Sequence, residues 1–567
     1  MSLSFSTKVS LLWQLAVWRW NWYRFDTHKT YEVAGNPKFM SARDAVRLIK
    51  DGSVVAYSGI AGNTWTTVIN FAIKELFQEE AHPCDLTVLA IAALGARGRA
   101  PGSLEELAHE GLLSRLFTAH TETYKAELRQ ADAGKLELQC IPQGTFSLIL
   151  DAMGRGENSI TNDTGVGTFV DPRCGRGTPV VGDYPQYVEA IDGRLKYTVP
   201  FVDVAIINAP AADKKGNIYI KNAAMLCESR EIVRAACHNK GVVIVNVGLI
   251  VDEGYDEIFI PAEDVDAIVI HPRTEQIGGV PHKSHHPFTT LGSTMQIDEA
   301  LERLTYVGRL LGYTPRRRPA DNALGRLAAT VFSGAARKGC YVDIGVGLPE
   351  EMTRLLHEGG LLNELNVMTE SGVLGGLPTP GVHFGAAVNP TEIVSSAEAF
   401  RRIYDHLDAV VLGALEVDSD GNVNVSKRGE GAINYVGPGG FIDLTTSARL
   451  IVFCASWGDG SDIRIEDGRI RIVEPGKPKF IDQVDEITFN GQQALEKNKL
   501  VYYITHVGAF QLTARGMELI SLMPGIDMQK DIIDACPMKV VLPESGEVPT
   551  ADASIITGEG FRLAFKE

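Results

Sequence analysis

The sequence has few positive charges for its size. Its 567 residues contain 54 Lys and Arg against 71 Asp and Glu, which gives a formal net charge of −17 and a pI near 5.3. General nucleic-acid binding is therefore disfavoured, because no excess of cations exists to neutralise phosphates. A small anionic ligand remains compatible with this charge, since it needs only a local cation or a few backbone N–H groups.

Common nucleotide-binding and hydrolase motifs are also missing. No G-x-x-x-x-G-K-[ST] sequence occurs, which excludes a P-loop, and no G-x-S-x-G elbow surrounds a plausible serine nucleophile. A glycine turn reads Gly345-Val346-Gly347, but position 350 is Glu where a dinucleotide fingerprint needs a third glycine. A nicotinamide cofactor is therefore disfavoured.

Cysteine and histidine occur without the spacing of a metal or redox site. None of the eight cysteines forms a C-x-x-C pair, which favours free thiols in a reducing compartment and predicts a cytoplasmic protein. His282, His285 and His286 lie close together, but no Cys or carboxylate stands at ligand spacing. We interpret these histidines as part of a solvated loop and predict no bound metal.

The first 39 residues differ from the rest of the chain. They contain four of the six tryptophans, and their apolar run at 9–18 is too short to span a bilayer. Tryptophans and cations suit an interfacial membrane anchor. The alternative is a dispensable extension upstream of a start at Met40. We favour the extension on sequence alone and keep membrane contact as the second possibility.

From Met40 onward, apolar strand patterns alternate with helical patterns. Val, Ile and Leu runs predict strands at 54–56, 86–92, 136–141, 202–208 and 242–247. Helical patterns lie between them, at 42–50, 66–77, 104–116 and 229–236. This alternation predicts an α/β fold with mostly parallel sheets covered on both faces.

The second half of the chain repeats the first. Residues 202–217 match residues 407–422 without a gap, and each copy reads as a buried strand followed by an Asp-x-x-Gly-Asn turn. Such a repeat predicts two similar open sheets, with the ligand site between them at the carboxyl ends of strands. The paired positions are Asp203 with Asp408, Asp213 with Asp418, Gly216 with Gly421, and Asn217 with Asn422.

These patterns predict five segments. Residues 1–39 form the atypical extension, 40–285 the first domain, 286–322 the connection, 323–540 the second domain and 541–567 a tail. The connection contains a Pro- and Arg-rich run at 315–319, interpreted as solvated, and a helical pattern at 295–311.

The stretch 366–376 carries the first candidate for chemistry. A short apolar strand leads to Glu370, and Ser371, Gly372, Gly375 and Gly376 follow at once. Small residues would let a bulky substrate approach a carboxylate at that strand end. The alternative is a surface Glu in a strand-to-loop turn.

Three other short segments are candidate binding elements. The turn at Gly345, Val346 and Gly347 opens a helix, and its N–H groups could hold an oxyanion or phosphate. The second is a rigid glycine loop around Pro438, and the third is a helix start at Gln143, whose amide could donate to a carboxylate or carbonyl. Each alone is also compatible with a plain turn or helix cap.

Taken in order, these motifs resemble the family I coenzyme A transferases in their fused two-subunit form. The resemblance runs from about residue 40 to 534, and the 39-residue head has no counterpart in it. Residues 370–372 read Glu-Ser-Gly, where many members of that family have Glu-Asn-Gly. In this feature the sequence is similar to the single-chain acetate or propionate CoA-transferases. The matching segments are 142–145, 165–172, 345–347, 370–372, 421–424, 437–440 and 524–527.

The resemblance implies reversible transfer of CoA from a short-chain acyl-CoA to a free carboxylate. Glu370 would be the nucleophile and would carry a glutamyl-CoA thioester. Gly345, Val346, Gly347, Asn424, Gly439 and Gly440 would bind the oxyanion or CoA, and Gln143 would face the acyl group. CoA is then a substrate and covalent intermediate, no cofactor is permanently bound, and a homo-oligomer is expected.

Two other functions stay open at this point. A CoA thioester hydrolase or lyase subunit could use the same frame with a different acceptor. A non-enzymatic sensor is the second, although it would not need a nucleophile between glycine turns. The acid itself is not determined, because one methylene is worth only about 1–3 kcal/mol of discrimination.

Overall fold

The computed structural model describes residues 3–33, 35–277, 280–281, 287–312 and 317–566. None of the described helices is both long enough and apolar enough to cross a membrane. In chain order the helices are α1 Phe5–Trp20, α2 Ala42–Val46, α3 Thr67–Glu80, α4 Lys125–Asp132, α5 Gln143–Met153, α6 Ser229–His238, α7 Ile297–Leu310, α8 Pro319–Ala335, α9 Pro349–Glu358, α10 Ser396–His406, α11 Phe441–Ser447, α12 Gly491–Glu496 and α13 Ala553–Thr557.

Most strands belong to two large sheets, one in each half. Those before residue 290 are β1 Val54–Tyr57, β2 Leu86–Ala90, β3 Leu113–Thr118, β4 Glu137–Cys140, β5 Ser159–Asn162, β6 Val188–Ile191, β7 Arg194–Thr198, β8 Val204–Asp213, β9 Ile218–Tyr219, β10 Val242–Val251, β11 Ala267–Ile270, β12 Glu275–Ile277 and β13 Val280–Pro281. Those after it are β14 Tyr341–Ile344, β15 Asn366–Met368, β16 Val373–Leu374, β17 Leu377–Pro378, β18 Ala387–Val388, β19 Glu392–Ile393, β20 Leu407–Gly413, β21 Glu416–Val417, β22 Val423–Asn424, β23 Leu450–Cys454, β24 Gly458–Asp459, β25 Asp462–Glu466, β26 Arg469–Glu474, β27 Lys477–Pro478, β28 Leu500–Ile504, β29 Gly508–Thr513, β30 Gly516–Leu522 and β31 Val540–Val541.

The two sheets share a central arrangement of strands. The first has the order β11-β10-β8-β1-β2-β3-β4, and all of these neighbours are parallel. The second has the order β19-β16-β15-β14-β20-β23-β28-β29-β30-β31, with a parallel centre, antiparallel pairs towards both edges and a parallel outermost pair, β30 with β31. The predicted α/β class with two similar, mostly parallel sheets is confirmed.

The repeat is visible in single hydrogen bonds. Asp203 accepts the N–H of Val54 at 2.9 Å, and Asp408 accepts the N–H of Tyr341 at 3.0 Å, so each repeat Asp fixes the start of the neighbouring strand. In the turns, Asp213 Oδ1 accepts three backbone N–H groups at 2.9–3.0 Å, and Asp418 Oδ1 accepts two at 2.9 and 3.0 Å. By topology, β14 corresponds to β1 and β15 to β2.

One predicted helix is wrong. The pattern at 104–116 predicts a helix, whereas the structure has a 3-10 turn at Leu104–Leu107 and then strand β3. Gly111, with φ of +87°, lies between them and adopts a left-handed conformation that interrupts helical backbone. The apolar residues 112, 113 and 116 face the core from a strand and its approach instead of from one helix face.

The connection and the tail both pack on the second half. Ala300 and Leu304 of α7 are buried, and Asn389 donates to the carbonyl of Met295 at 2.7 Å. Arg317 is not a solvated link, because it pairs with Glu350 at 3.2 Å and is 19% exposed. The histidines at 282, 285 and 286 lie outside the described residues, as do residues 313–316 of the connection. In the tail, Ile555 and Ile556 are buried, and α13 packs on α8.

The head consists of a surface helix followed by a packed segment. After α1, the ring of Phe25 lies 5.1 Å from that of Phe71, and the carbonyl of Thr27 accepts the N–H of Arg43 at 2.9 Å. Thr27 and Phe39 are both buried. Packing on the first half therefore continues across the predicted boundary at Met40.

A buried polar cluster joins the two halves. We call it the Arg176 cluster, made of Arg176, Phe169, Tyr435 and Glu486. The guanidinium of Arg176 lies 4.4 and 4.7 Å from the ring centroids of Phe169 and Tyr435, and its Nε donates to Glu486 at 2.9 Å. The Tyr435 hydroxyl donates to the same carboxylate at 2.6 Å. The cluster fixes the start of the 435–440 loop against the first half.

The Arg176 cluster makes Glu486 a sensitive position. We expect Glu486→Gln to destabilise the protein by about 3 kcal/mol, because it leaves a half-buried guanidinium without its anion. Scanning calorimetry would measure the fall in apparent melting temperature. The matched control is Asp163→Asn, whose exposed pair with Arg194 at 3.0 Å should contribute less than about 1 kcal/mol. Equal shifts in both variants would contradict this account.

Candidate active site between the two halves

Glu370 is a buried residue at the end of β15. The side chain is 7% exposed, which excludes the surface-Glu interpretation. The chain turns sharply after it, with the N–H of Gly372 donating to the carbonyl of Thr369 at 3.1 Å. Gly372 has φ of +93°, and a side-chain carbon added there would lie 2.0 Å from the carbonyl oxygen of Val394. Only glycine fits this turn, and the turn sets the direction of Glu370.

Ser371 supports the turn. It is completely buried, its hydroxyl donates to the carbonyl of Gly385, and it lies 2.9 Å from the hydroxyl of Thr369. A side-chain carbon at Gly385 would lie 2.7 Å from Ile60. The loop at 59–65 of the first half therefore reaches the Glu370 turn.

The 437–440 loop closes over Glu370. A side-chain carbon added at Gly440 would lie 3.1 Å from Glu370 Cγ and 3.2 Å from its Oε1, so glycine permits this contact. Gly439 has φ of +56°, its N–H donates to Ala119 at 2.9 Å, and its carbonyl accepts from Gln143 at 3.1 Å. Of the two predicted glycines, Gly440 contacts Glu370 and Gly439 joins the loop to the first half.

Two side chains of the first half meet at Gly439 with polar atoms that have no protein partner. A side-chain carbon at Gly439 would lie 3.6 Å from Gln143 Oε1 and 3.8 Å from His120 Cδ2. The Nε2 of Gln143 and the Nδ1 of His120 are both buried without a hydrogen-bond partner among the described residues. His120 was not predicted as a site residue, because it is an isolated residue after β3 without a motif.

Asp443 was also missed by the sequence analysis. It accepts the N–H groups of Gly144 and Thr145 at 2.9 and 3.1 Å, in the first turn of α5, and the hydroxyl of Tyr404 at 2.6 Å. Asp443 follows the glycine loop in the second half, whereas α5 begins with Gln143 in the first. The carboxylate therefore holds Gln143 beside Glu370 through hydrogen bonds across the interface.

The remaining predicted residues lie around this centre. The N–H of Gly345 donates to Val411 at 2.8 Å within the sheet, Val346 is 46% exposed at the end of β14, and Gly347 has φ of +91°. Asn424 is completely buried, and its side chain is hydrogen bonded within its own turn. It donates to Glu416 and to the carbonyl of Lys427, each at 2.8 Å, and accepts two backbone N–H groups. These contacts assign Asn424 a role in shaping the turn, and its predicted contact with substrate stays a prediction.

Burial raises the pKa of three carboxyl groups here. The pKa of Glu370 rises to about 7, first because it is buried and second because Asp443 is near. Burial raises the pKa of Asp443 to about 6, although Tyr404 and the α5 N–H groups oppose the rise. On β14, burial and the charge of Glu370 hold the pKa of Asp343 well above its usual range. Burial has the opposite effect on His120. It lowers the pKa of the imidazole to about 4, so the ring is neutral at pH 7.

Comparison with known proteins identifies the family of this chain. Residues 39–271 match the family described as Coenzyme A transferase. A caffeate CoA-transferase from Acetobacterium woodii is 31% identical over 521 residues, which cover 88% of this chain and 93% of the relative. This chain belongs to the coenzyme A transferase family. Acetate CoA-transferase YdiF from Escherichia coli (strain K12) is 30% identical over 530 residues, covering 91% of this chain and 95% of that one.

Solved structures extend the match to both halves. The acyl-CoA transferase (YdiF) apoenzyme from Escherichia coli O157:H7 has a TM-score of 0.82 at 27% identity, over 95% of this chain and 100% of that one. The same enzyme described as a thioester complex with CoA gives a TM-score of 0.81, also at 27% identity, over 93% and 98% of the two chains. The family resemblance predicted from the motifs is confirmed, and CoA is a substrate of this family.

The raised pKa of Glu370 predicts a pH dependence. A carboxylate must be ionised to attack a thioester, so kcat/KM should rise with pH through about 7. Asp443→Asn removes a neighbouring negative charge, which lowers the pKa of Glu370 and should move this limb about one unit to lower pH. The control is Glu358→Gln on the surface of α9. An unshifted limb in Asp443→Asn would contradict the coupling between these two carboxyl groups.

The two unpartnered side-chain nitrogens, with His120 in the tautomer that carries its proton on Nδ1, predict a second result. We expect Gln143→Ala and His120→Phe each to lower kcat/KM by about 100-fold, because each removes a donor that could bind a substrate oxygen. The pH limb should not move in His120→Phe, since the histidine is already neutral above about pH 4. If both groups bind the same oxygen, the double variant should lose less than the two single losses combined. Unchanged kinetics in both single variants would remove these residues from the site.

Proposed function

We propose that this CoA-transferase moves CoA reversibly between short-chain acyl-CoA and free short-chain carboxylates, through a thioester on Glu370. The observation that carries the proposal is the placement of Glu370. It is a buried carboxyl group that contacts the backbone of Gly440, beside the unpartnered side-chain nitrogens of Gln143 and His120. The thioester complex with CoA described for the similar Escherichia coli enzyme supports the covalent step.

The proposed reaction has two stages, and the second stage reverses the steps of the first with a different acid. The carboxylate of Glu370 attacks the acyl-CoA carbonyl carbon, the C–S bond breaks, and CoA leaves as a thiolate. The thiolate then attacks the Glu370 carbonyl of the mixed anhydride and releases the first acid as its carboxylate. A glutamyl-CoA thioester remains. The acceptor carboxylate attacks this thioester, and the released thiolate takes the new acyl group and frees Glu370. No oxidant, reductant or net proton is needed.

The surrounding groups have distinct proposed roles. Gln143 and His120 would donate to the carbonyl oxygen that gains negative charge during each attack. The N–H groups of Gly440 and Val346 are proposed as further donors, whereas those of Gly345 and Gly439 are already used within the protein. Asp443 would act as a positioning residue, because its contacts are with α5 and Tyr404 and not with the reacting atoms.

Phe400 packs against glycines of both halves beside the proposed nucleophile. The ring of Phe400 is completely buried, and it lies under both Gly144 and Gly440. A side-chain carbon would approach this ring to 2.3 Å at Gly144 and 3.5 Å at Gly440. The two relatives named above act on acids of very different size, so an acceptor panel from acetate to caffeate, with acetyl-CoA as donor, would identify the substrate.

The hydrolase alternative differs only in the final acceptor. Glu370 is 7% exposed, and the glycine loop closes over it. These features favour transfer, because water has little access to the Glu370 carbonyl carbon of the proposed thioester. Loss of acyl-CoA at an undiminished rate without any carboxylate acceptor would favour hydrolysis. The homo-oligomer and the cytoplasmic location predicted from sequence remain predictions.

Trapping the intermediate tests the proposed mechanism. After incubation with acetyl-CoA alone, borohydride should reduce the Glu370 thioester to a primary alcohol. Intact mass and peptide mapping should place this change on the Glu370 peptide. Glu370→Gln should lose activity by about 10⁴-fold or more and show no modification. Glu358→Gln is the control and should behave as the unaltered protein. Full activity in Glu370→Gln, or labelling at another residue, would disprove the mechanism.

A further inference from the structure

The most exposed apolar side chains of the described residues lie on helix α1 and the turn after it. Phe5, Trp13, Trp20 and Tyr23 are 84%, 70%, 67% and 75% exposed, whereas the highest value among the large apolar residues elsewhere is 54%, at Leu291. We call these four, together with Val9, Leu12 and Ala16, the α1 stripe. Within the helix its members recur at spacings of three and four residues, so they share one face.

The opposite face of the helix is attached to the protein. Leu11 is buried at 4% exposure, and Arg273 donates to the Asn21 side chain and to the carbonyl of Arg24 just after the helix. Phe25 then packs against Phe71 and His271, with ring centroids 5.1 Å apart in both cases. The helix is therefore held on the first half with its apolar stripe directed outwards.

Charge around the stripe has the opposite sign to the rest of the chain. The first 25 residues contain Lys8, Arg19 and Arg24 and no Asp or Glu, in a protein of net charge −17. Lys8 and Arg19 both lie along one edge of the stripe on the helical wheel. The Arg19 guanidinium lies 3.8 Å from the Trp22 ring centroid, and that of Arg24 lies 4.2 Å from the ring centroid of Trp20. Exposed aromatic rings flanked by cations are characteristic of surfaces that contact the headgroup region of a bilayer.

We propose that the α1 stripe binds the surface of an anionic phospholipid bilayer, with α1 lying in the plane of the interface. The rings and aliphatic side chains would enter the headgroup and acyl boundary, and Lys8, Arg19 and Arg24 would contact lipid phosphates. The helix of 16 residues is about 24 Å long and attached along one face, so it lies on the bilayer and does not span it.

A second copy of the chain is the main competing occupant. In a symmetric dimer the same patch meets itself, so the three cations of one copy would face those of the other without an acid within the patch. That arrangement is repulsive, whereas an anionic lipid surface is attractive to all three. The exposed stripe also changes our interpretation of the head. Sequence alone favours a dispensable extension, but the structure attaches it to the protein with its apolar face outwards.

Vesicle flotation of the full chain tests the proposal. The protein should float with vesicles of equimolar phosphatidylcholine and phosphatidylglycerol, and much less with phosphatidylcholine alone. Lys8→Gln with Arg19→Gln should weaken partitioning by about 30-fold, since each cation contributes to attraction by anionic lipid. Trp13→Ser with Trp20→Ser should weaken it on both vesicle types. Leu291→Ser is the matched control, because Leu291 is an exposed apolar residue outside the stripe.

Two further measurements make the outcome decisive. Tryptophan emission should shift to shorter wavelength when anionic vesicles are added, and transferase activity in solution should be equal in all variants. The proposal is overturned if the unaltered chain does not float or if the stripe variants float equally well. It is also overturned if light scattering shows that Trp13→Ser with Trp20→Ser converts a larger assembly into a smaller one without any lipid effect. Loss of activity through Glu370→Gln leaves the flotation result unchanged, so this test is independent of the proposed mechanism.

Discussion

Burial of the Glu370 carboxyl group is the constraint on which the rest of the site depends. A carboxylate removed from water must be approached by hydrogen-bond donors, or it takes up a proton. Here the loop that closes over it has glycine at position 440, where a side-chain carbon would lie 3.1 Å from Glu370 Cγ, closer than an ordinary packing contact. The loop is attached to the first half at Gly439, and Asp443, which follows the loop, binds the first half again by capping the helix that starts with Gln143. The Arg176 cluster fixes the beginning of the same loop.

The two halves show how a repeated frame acquires a single reactive centre. β2 and β15 occupy equivalent positions, each parallel to the strand that the repeat Asp fixes. After β2 the first half continues with Ile91, Ala92 and Ala93, whereas the second half places Thr369, Glu370 and Ser371 after β15. The first half instead contributes Gln143 and His120 from elements further along its sheet. Neither half contains the whole site. The interface between the halves is therefore needed to bring the site residues together as well as to hold the fold.

The sequence predicted the features that depend on local pattern. Apolar strands, the Asp-x-x-Gly-Asn turns and the glycine loops are local, and the repeat identifies which strands are equivalent. The helix predicted at 104–116 was wrong because a helix and a short strand share similar apolar spacing there, and Gly111 breaks the backbone between them. Asp443 and His120 were missed for a different reason. Asp443 reaches its partners across 298 and 299 residues of sequence, and His120 meets Gly439 only in the folded interface, so no local pattern marks either residue.

The raised pKa of Glu370 also bears on the chemistry proposed for it. A rise from 4.5 to about 7 corresponds to a free-energy cost of about 3 kcal/mol for holding the ionised form in this environment. The mixed anhydride and the thioester proposed for Glu370 are neutral at that carboxyl group, so forming either one removes this cost. Burial therefore destabilises the free carboxylate relative to the covalent states. This favours formation of the covalent states, although a carboxylate is a weak nucleophile. The same burial limits water, which would otherwise hydrolyse the anhydride, and so a single physical feature favours both acylation and transfer.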